Sequence, residues 1–209
     1  MNHPISRRAL LQSGALGVLA VGATSKANAA PALPIIDTHQ HLWDFKKFRP
    51  PWVNDEPKLN HPFAMPEYLA ATKGLNVVKT IYMEVDVAEK DQNLEADTVA
   101  EMCQRGNTPL VAAVISGRPN SPHFKEYVRR FKGSPYIKGV RQVLQVPTAP
   151  KGLCLQPEFI KSVQLLGELG LTFDICIRPT ELSDGIKLAD ACPHTRFILD
   201  HCGNATARN

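Results

Sequence analysis

The sequence has 209 residues, a length typical of one domain of ordinary size. Its formal net charge is +4, and three of its 24 basic side chains lie in the first 29 residues, which contain no acidic one. The other 180 residues therefore carry a charge of +1, which gives no long-range field to attract nucleic acid. We exclude nucleic acid as a partner.

The first 29 residues have the ordered features of an export signal. Arg7 and Arg8 precede two leucines, an apolar run covers residues 14–23, and a small-residue cleavage pattern follows at residues 27–29. The arginine pair resembles a bacterial twin-arginine signal. The apolar run is too short to span a bilayer. We expect residues 1–29 to be removed and the protein to be periplasmic or otherwise extracytoplasmic, without membrane contact after removal of the signal.

The remaining chain alternates between strand and helix patterns. Continuous apolar strands, each followed by a helix, predict an α/β fold with a parallel sheet covered by helices. The predicted strands cover residues 33–38, 77–85, 109–115, 136–143, 171–177 and 195–200. The predicted helices cover residues 63–74, 94–106, 121–131, 158–169 and 182–191, with Ser121 as an N-cap and Gly106 and Gly170 as helix ends.

Two architectures agree with this order, a doubly wound open sheet and a (β/α)8 barrel. No glycine-rich phosphate motif follows the first strand, which disfavours a dinucleotide-binding fold. Six strands in 180 residues are fewer than the eight strands and about 250 residues of a typical barrel. The pattern therefore indicates either an open sheet or the first three-quarters of a barrel.

Two histidines end the first predicted strand. Residues i and i+2 of a strand point the same way, so His39 and His41 should share a face, and Asp37 should share it too. Two imidazoles placed side by side can chelate a divalent cation or polarise one substrate oxygen. Two surface histidines without such a role remain the alternative.

The motif DTHQHLWD at residues 37–44 resembles the opening motif of the amidohydrolase superfamily. More narrowly, it resembles the amidohydrolase-related (amidohydrolase 2) group that includes sugar-acid lactonases such as L-fuconolactonase. The resemblance extends over residues 35–204 and includes IKGVR at 137–141, FDICIRP at 173–179 and FILDHCGN at 197–204. It implies a (β/α)8 barrel of metal-dependent hydrolase type over residues 33–209, apparently truncated after about six βα units.

The resemblance also implies site residues. His39 and His41 match the strand-one metal pair, and His201 matches the strand-six histidine, so these three are the expected catalytic and metal-binding residues. The implied cofactor is one zinc or manganese ion, or none, because strand five offers Asp174 and Arg178 where metal-rich members have a histidine. The strand-eight aspartate that activates water in the superfamily has no counterpart in this sequence.

Three further side chains are candidates for substrate binding. Arg141 and Arg178 follow strands four and five, and planar guanidinium groups suit a carboxylate or a lactone oxygen, although surface ion pairs are the alternative. Trp43 could stack on a sugar ring or pack within its loop. Glu84, late in strand two, could act as a ligand or a base, or could pair with a cation such as Lys138.

Two functions remain open. The first is hydrolysis of a lactone or related cyclic ester of a sugar acid, a small-molecule substrate, by water attack at a histidine-lined site. The second is a non-catalytic remnant of such a hydrolase. We expect the first and last strands to leave open sheet edges that promote self-association. We also expect the 180-residue form to be inactive alone and to gain activity from two further βα units.

Overall fold

The computed structural model describes residues 33–205, so the expected export signal lies outside the described residues. Six parallel strands form one sheet in sequence order, and every strand pairs with the next one along the chain. They are β1 (Ile35–Gln40), β2 (Val77–Met83), β3 (Leu110–Ser116), β4 (Ile137–Val143), β5 (Thr172–Cys176) and β6 (Arg196–Leu199). A doubly wound sheet would reverse its strand order, so this order supports the barrel architecture instead. The sheet is the curled first part of a (β/α)8 barrel.

Helices connect the strands and cover the outer face of the sheet. They are α1 (Met65–Ala71), α2 (Gln92–Arg105), α3 (Phe124–Arg129), α4 (Pro157–Glu168) and α5 (Leu182–Ala191). A single turn, α6 (His201–Asn204), follows β6. Short 3-10 helices lie at Pro51–Asp55, Glu89–Asp91, Leu153–Leu155 and Pro179–Glu181. Among residues 33–205, no helix is both long and apolar enough to cross a membrane.

The observed boundaries differ from the predicted ones at two places that affect the site. Strand β1 extends through His39 to Gln40, beyond the predicted end at residue 38. Helix α3 begins at Phe124, with His123 rather than the predicted Ser121 at the N-cap position. The Ser121 hydroxyl accepts the backbone N–H of His123 at 3.3 Å and donates to Glu89 at 2.6 Å. Gly106 and Gly170 have positive φ angles of 61° and 76°, as helix ends require.

The main core lies between the sheet and its helices. In α2, the buried residues Ala96, Val99 and Cys103 are spaced three and four apart, so they form one apolar face. Phe159 of α4 packs edge-on against Phe173 of β5, with ring centroids 5.7 Å apart, and both side chains are fully buried. This packing fixes the strands, and therefore the positions of the residues that follow them.

The two outer strands have one hydrogen-bonded neighbour each within the described residues. Apolar side chains on them are exposed: Ile36 of β1 is 56% exposed and Leu199 of β6 is 51% exposed. These open edges agree with the edges expected from the sequence.

Candidate active site at the carboxyl end of the sheet

Three histidines meet where the outer strands end. The ring centroids of His39 and His41 lie 4.9 Å apart, and those of His39 and His201 lie 4.7 Å apart. His39 belongs to β1 and His201 directly follows β6, so the curl of the sheet brings together the carboxyl ends of its first and last strands. Active sites of βα barrels lie at this end.

An unusual backbone segment places His201. His201, Cys202 and Asn204 have positive φ angles between 52° and 54°, which are uncommon for residues other than glycine and occur often at functional sites. Between them, Gly203 has a φ angle of 69°, and a Cβ there would lie 2.5 Å from Leu182 Cδ2, so a larger residue would be strained and would displace the Leu182 side chain. The Asn204 side chain donates to the carbonyl of Ile177 at 2.7 Å and anchors the turn to the end of β5.

The histidines have nitrogen atoms available for a ligand. His41 Nδ1 donates to the Met83 carbonyl at 3.0 Å, which leaves Nε2 as the unprotonated nitrogen of the neutral ring. His39 Nε2 is buried and has no hydrogen-bond partner. Ligand atoms of His39, Asp200 and His201 all lie within 4.8 Å of one another, close enough to share one metal ion.

Burial keeps the two strand-one histidines uncharged. Desolvation, followed by the charge of His41, lowers the pKa of His39 to about 4. Desolvation, followed by the charge of Arg141, lowers the pKa of His41. Both rings are therefore neutral at pH 7, the form that ligates metals. Imidazole nitrogens together with a carboxylate are a usual ligand set for zinc, so these residues fit a divalent ion.

Arg141 organises the floor of this site. Its Nε donates to Glu84 Oε1 at 2.7 Å, its Nη1 donates to Asp200 Oδ2 at 2.9 Å, and its Nη2 donates to the Glu84 carbonyl at 2.8 Å. All three side chains are almost fully buried. Glu84 thus pairs with Arg141 rather than with Lys138, the cation suggested from the sequence, because Lys138 is exposed on the opposite side of β4.

Arg178 lies near the site but holds a loop. Its Nη1 donates to Glu181 Oε2 at 2.5 Å, and its Nη2 donates to the carbonyls of Val146 and Ala149 at 2.6 and 2.7 Å. These contacts bind the loop after β4 to the end of β5. The guanidinium that the sequence suggested for substrate binding is thereby occupied by protein oxygens.

A cavity of 380 Å³ opens above the histidines. Trp43 forms part of its wall, 6% exposed, with its indole nitrogen donating to the His61 carbonyl at 2.7 Å and its ring edge-on to Trp52 at 5.4 Å. His41, Arg141 and His201 also line it, so it contains two of the three histidines. The cavity can accommodate a small cyclic molecule next to them.

Asp37 is not part of this group, although strand periodicity placed it on the same face. A register shift between Asp37 and Gln40 turns its carboxylate away, and Oδ2 accepts a hydrogen bond from Tyr68 of α1 at 2.8 Å. Asp200 was not among the site residues selected from the sequence, yet its carboxylate lies between Arg141 and His39. Its position directly before His201 was the available signal.

Asp174 of β5 is a second buried acid close to this network. Its Oδ1 accepts a hydrogen bond from Thr172 at 3.2 Å. Desolvation, followed by the charge of Asp200, raises its pKa to about 7. This side chain therefore holds a proton for part of the time at neutral pH, in contrast to an ordinary aspartate.

Solved structures share this fold. An amidohydrolase 2 from Bifidobacterium longum subsp. infantis is 27% identical, with a TM-score of 0.61 over 85% of this chain and 65% of that one. A zinc-bound amidohydrolase from Burkholderia multivorans is 22% identical, with a TM-score of 0.63 over 80% and 57% of the two chains. A probable 2-pyrone-4,6-dicarboxylic acid hydrolase from Acinetobacter baumannii, with citric acid bound, is 14% identical, with a TM-score of 0.60 over 81% and 59%.

This chain therefore spans between 57% and 65% of the length of these structures. The model for the family Amidohydro_2, described as amidohydrolase, matches residues 36–208. That span includes the three histidines and the six strands apart from Ile35, the first residue of β1, and the chain belongs to the Amidohydro_2 family of amidohydrolases.

Proposed function

We propose that this chain carries the reaction site of a hydrolase that opens a lactone or related cyclic ester of a sugar acid. The observation that carries the proposal is the meeting of His39, His41 and His201 at the mouth of the sheet, beside a 380 Å³ cavity. The relative from Acinetobacter baumannii, whose name describes the hydrolysis of a pyrone acid, supports a cyclic ester as the substrate.

The geometry suggests a division of roles. His39, His201 and Asp200, whose ligand atoms lie within 4.8 Å of one another, would hold a divalent ion, zinc or manganese, with His41 next to His39 as the further ligand expected from the sequence. The ion would supply a Lewis acid for the ester carbonyl. The neutral rings of His39 and His41 keep unprotonated nitrogens facing the site. In the alternative without a metal, His201, the most exposed of the three, would accept a hydrogen bond from the attacking water.

Arg141 would act by positioning. It fixes Oδ2 of Asp200, so that Oδ1 remains directed at His39, 3.9 Å from its Nδ1. Trp43 would exclude water from one side of the ring of the substrate. Arg178 would act indirectly, because it braces the loop after β4 that borders the cavity.

The test is an assay of ester opening by acid release with a panel of five- and six-membered sugar-acid lactones. Two forms are compared: this chain alone, and this chain fused to the last two βα units of the Bifidobacterium longum relative. We expect the fused form to open at least one of these lactones. His201→Ala should lower the rate by about 100-fold or more.

His194→Ala is the matched control, since that exposed histidine precedes β6 at the opposite end of the strand. Failure of both forms to open any lactone above the buffer rate, or an unchanged rate in His201→Ala, would contradict the proposal. We further propose export through the twin-arginine pattern at residues 7–8, which places the reaction outside the cytoplasm.

A further inference from the structure

A second polar cavity lies on the same end of the sheet, between the loops that follow β2, β3 and β4. Its main lobe has a volume of 660 Å³ and includes Asn120, His123 and Gln142. A neighbouring lobe of 440 Å³ includes Gln92 and shares Glu89, Arg118, Ser121 and His123 with the first. We call the two lobes together the loop cleft.

Two buried amides in the loop cleft have polar atoms without partners. Gln142 is 8% exposed and its Oε1 has no hydrogen-bond partner, and Gln92 is 6% exposed and its Nε2 has none. Buried polar atoms are nearly always hydrogen-bonded, because leaving one unpaired costs free energy. The side chains that line the cleft therefore include one acceptor and one donor that have no partner within the protein.

Three charged groups of the cleft, Arg118, Asp86 and Glu89, are hydrogen-bonded within the protein, and Lys90 is exposed to solvent. Arg118 Nη2 donates to Asp86 Oδ1 at 2.8 Å and to the Val87 carbonyl at 2.9 Å. Glu89 Oε1 accepts the Ser121 hydroxyl at 2.6 Å. What remains for a ligand is mainly amide and hydroxyl chemistry, which can both donate and accept hydrogen bonds.

We propose that the loop cleft is a binding subsite for a neutral, hydroxyl-rich group such as a sugar ring. The hydroxyl groups of a sugar also donate and accept, so they can satisfy Gln142 and Gln92 together without bringing an unpaired charge into the cleft. An anionic group would find Arg118 already neutralised by Asp86.

The loop cleft adjoins the histidine-lined cavity. Asp86, Val143 and Val146 line both the main lobe of the cleft and the cavity beside His41 and His201. One molecule can therefore place the lactone of its sugar acid at the histidines and a second sugar ring in the cleft. This reading rests on the proposed function, and it extends the substrate class from single sugar acids to sugar acids that carry a further sugar.

Calorimetric titration can test this, with two product-like probes that need no turnover. Gluconate has one sugar-acid chain, and lactobionate is gluconate that carries one further sugar ring. The proteins are the chain itself, Gln142→Leu and Asn120→Ala, with Gln104→Leu as the matched control because Gln104 is an exposed glutamine on the outer helix α2. Asn120 is exposed, so its variant should fold even if Gln142→Leu does not.

We expect lactobionate to bind the chain at least about tenfold more tightly than gluconate, the value of about one or two good polar contacts. Gln142→Leu and Asn120→Ala should each reduce that ratio and leave gluconate affinity unchanged, whereas Gln104→Leu should keep the ratio. Three results would overturn the subsite. The unmodified chain could fail to bind lactobionate, or it could bind lactobionate and gluconate with equal affinity. The third result is a ratio of the two affinities that is unchanged in both Gln142→Leu and Asn120→Ala.

The affinity of the His39→Ala variant for gluconate distinguishes this inference from the proposed function. If His39→Ala does not change gluconate affinity, the assignment of the histidine site fails. If the ratio of the lactobionate and gluconate affinities still depended on Gln142, the loop cleft would be supported as a sugar-binding site independent of the histidines. If the affinity for gluconate depends on His39, but the ratio of the lactobionate and gluconate affinities does not depend on Gln142, only the subsite proposal is contradicted.

Discussion

Arg141 Nη1 lies 2.9 Å from Asp200 Oδ2, and this contact joins β4 to the end of β6 across the inside of the sheet. The same guanidinium holds Glu84 at the end of β2. A single side chain therefore fixes three strand ends next to the histidines. The arrangement is costly to disturb, because each of the three groups is a buried charge whose compensation depends on the others.

Replacing Arg141 with methionine should therefore destabilise the protein strongly. The carboxylates of Glu84 and Asp200 would remain buried without their cation, and such a loss typically costs about 3–5 kcal/mol. Urea denaturation monitored by tryptophan fluorescence measures this change in unfolding free energy. Arg105→Met, which breaks an exposed pair with Glu101, is the control and should change stability far less. Equal losses in the two variants would contradict the role given to Arg141.

Zinc binding should depend on the strand-one histidines. We expect the double variant His39→Ala, His41→Ala to bind zinc at least about 100-fold more weakly than the unmodified protein. Mutation of a residue that only supports a metal ligand typically lowers metal affinity by about 10- to 100-fold, and loss of the ligands themselves should lower it at least as much. Metal content after dialysis and competition with a zinc chelator give this ratio. His194→Ala, at the other end of β6, should retain zinc. Equal metal content in the double variant would remove the metal site, though not a hydrogen-bonding role of the histidines.

Glu95 should make stability depend on pH. Burial, followed by the charge of Glu84, raises its pKa from 4.5 to about 7. An acid with a raised pKa in the folded state contributes its full stability below the unfolded value, and the contribution falls as pH rises from about 4.5 through 7. The loss amounts to about 1.4 kcal/mol for each pKa unit between the two states.

Glu95→Gln removes the titrating group but keeps its size. The variant should be less stable at pH 5, because its amide nitrogen meets the backbone N–H of Ser116 that now donates to Glu95 Oε2. The stability gap to the unmodified protein should shrink as pH rises to 8. Glu158→Gln, at an exposed position, is the control, and its difference in stability from the unmodified protein should not change in this way between pH 5 and pH 8. A gap for Glu95→Gln that stays constant from pH 5 to pH 8 would contradict the raised pKa.

Sequence periodicity could predict the order of the elements and the meeting of the histidines, for physical reasons. The carboxyl ends of parallel strands share one edge, so His39, His41 and His201 had to lie at the same end. The exact partners could not be predicted in the same way. Asp37 does not lie on the face of His39 and His41, because the register of β1 shifts between Asp37 and Gln40. Glu84 pairs with Arg141 rather than with Lys138, because the Arg141 side chain points inward.

The loop cleft shows the same limit more clearly. Gln92 and Gln142 are fifty residues apart and belong to no local pattern, so only the packing of three loops reveals that they line connected lobes. Polar residues of this kind resemble surface residues in a sequence. Their burial without partners becomes visible only in three dimensions.

Export should depend on the arginine pair at residues 7–8. The twin-arginine pathway requires both arginines, so replacing Arg7 and Arg8 with lysine should keep the charge but retain the protein in the cytoplasm. Fractionation of bacterial cells that express the full chain gives the distribution between compartments. Lys26, near the cleavage pattern, provides the control variant Lys26→Arg, which should be exported normally. Periplasmic accumulation of the Arg7→Lys, Arg8→Lys protein would argue against this type of signal.

The open edges of the sheet should cause self-association. Strands β1 and β6 each present unpaired backbone groups along one side within the described residues, next to the exposed side chains of Ile36 and Leu199. Such flat apolar edges pair with other chains unless charge or proline interrupts them. We therefore expect the form without residues 1–29 to sediment as oligomers.

Lysines on the two edges should reverse this association. The double variant Ile36→Lys, Leu199→Lys places charges where another strand would have to approach, which natural edge strands also use to stay unpaired. Sedimentation velocity over a wide range of protein concentrations should then show a smaller species than for the unmodified form. Ile186→Lys is the matched control, because Ile186 on α5 is 64% exposed but lies away from both edges, and it should leave the oligomers intact. A monomeric unmodified form that melts cooperatively would contradict this prediction, because it would show that the strand edges do not require pairing with another copy of the chain.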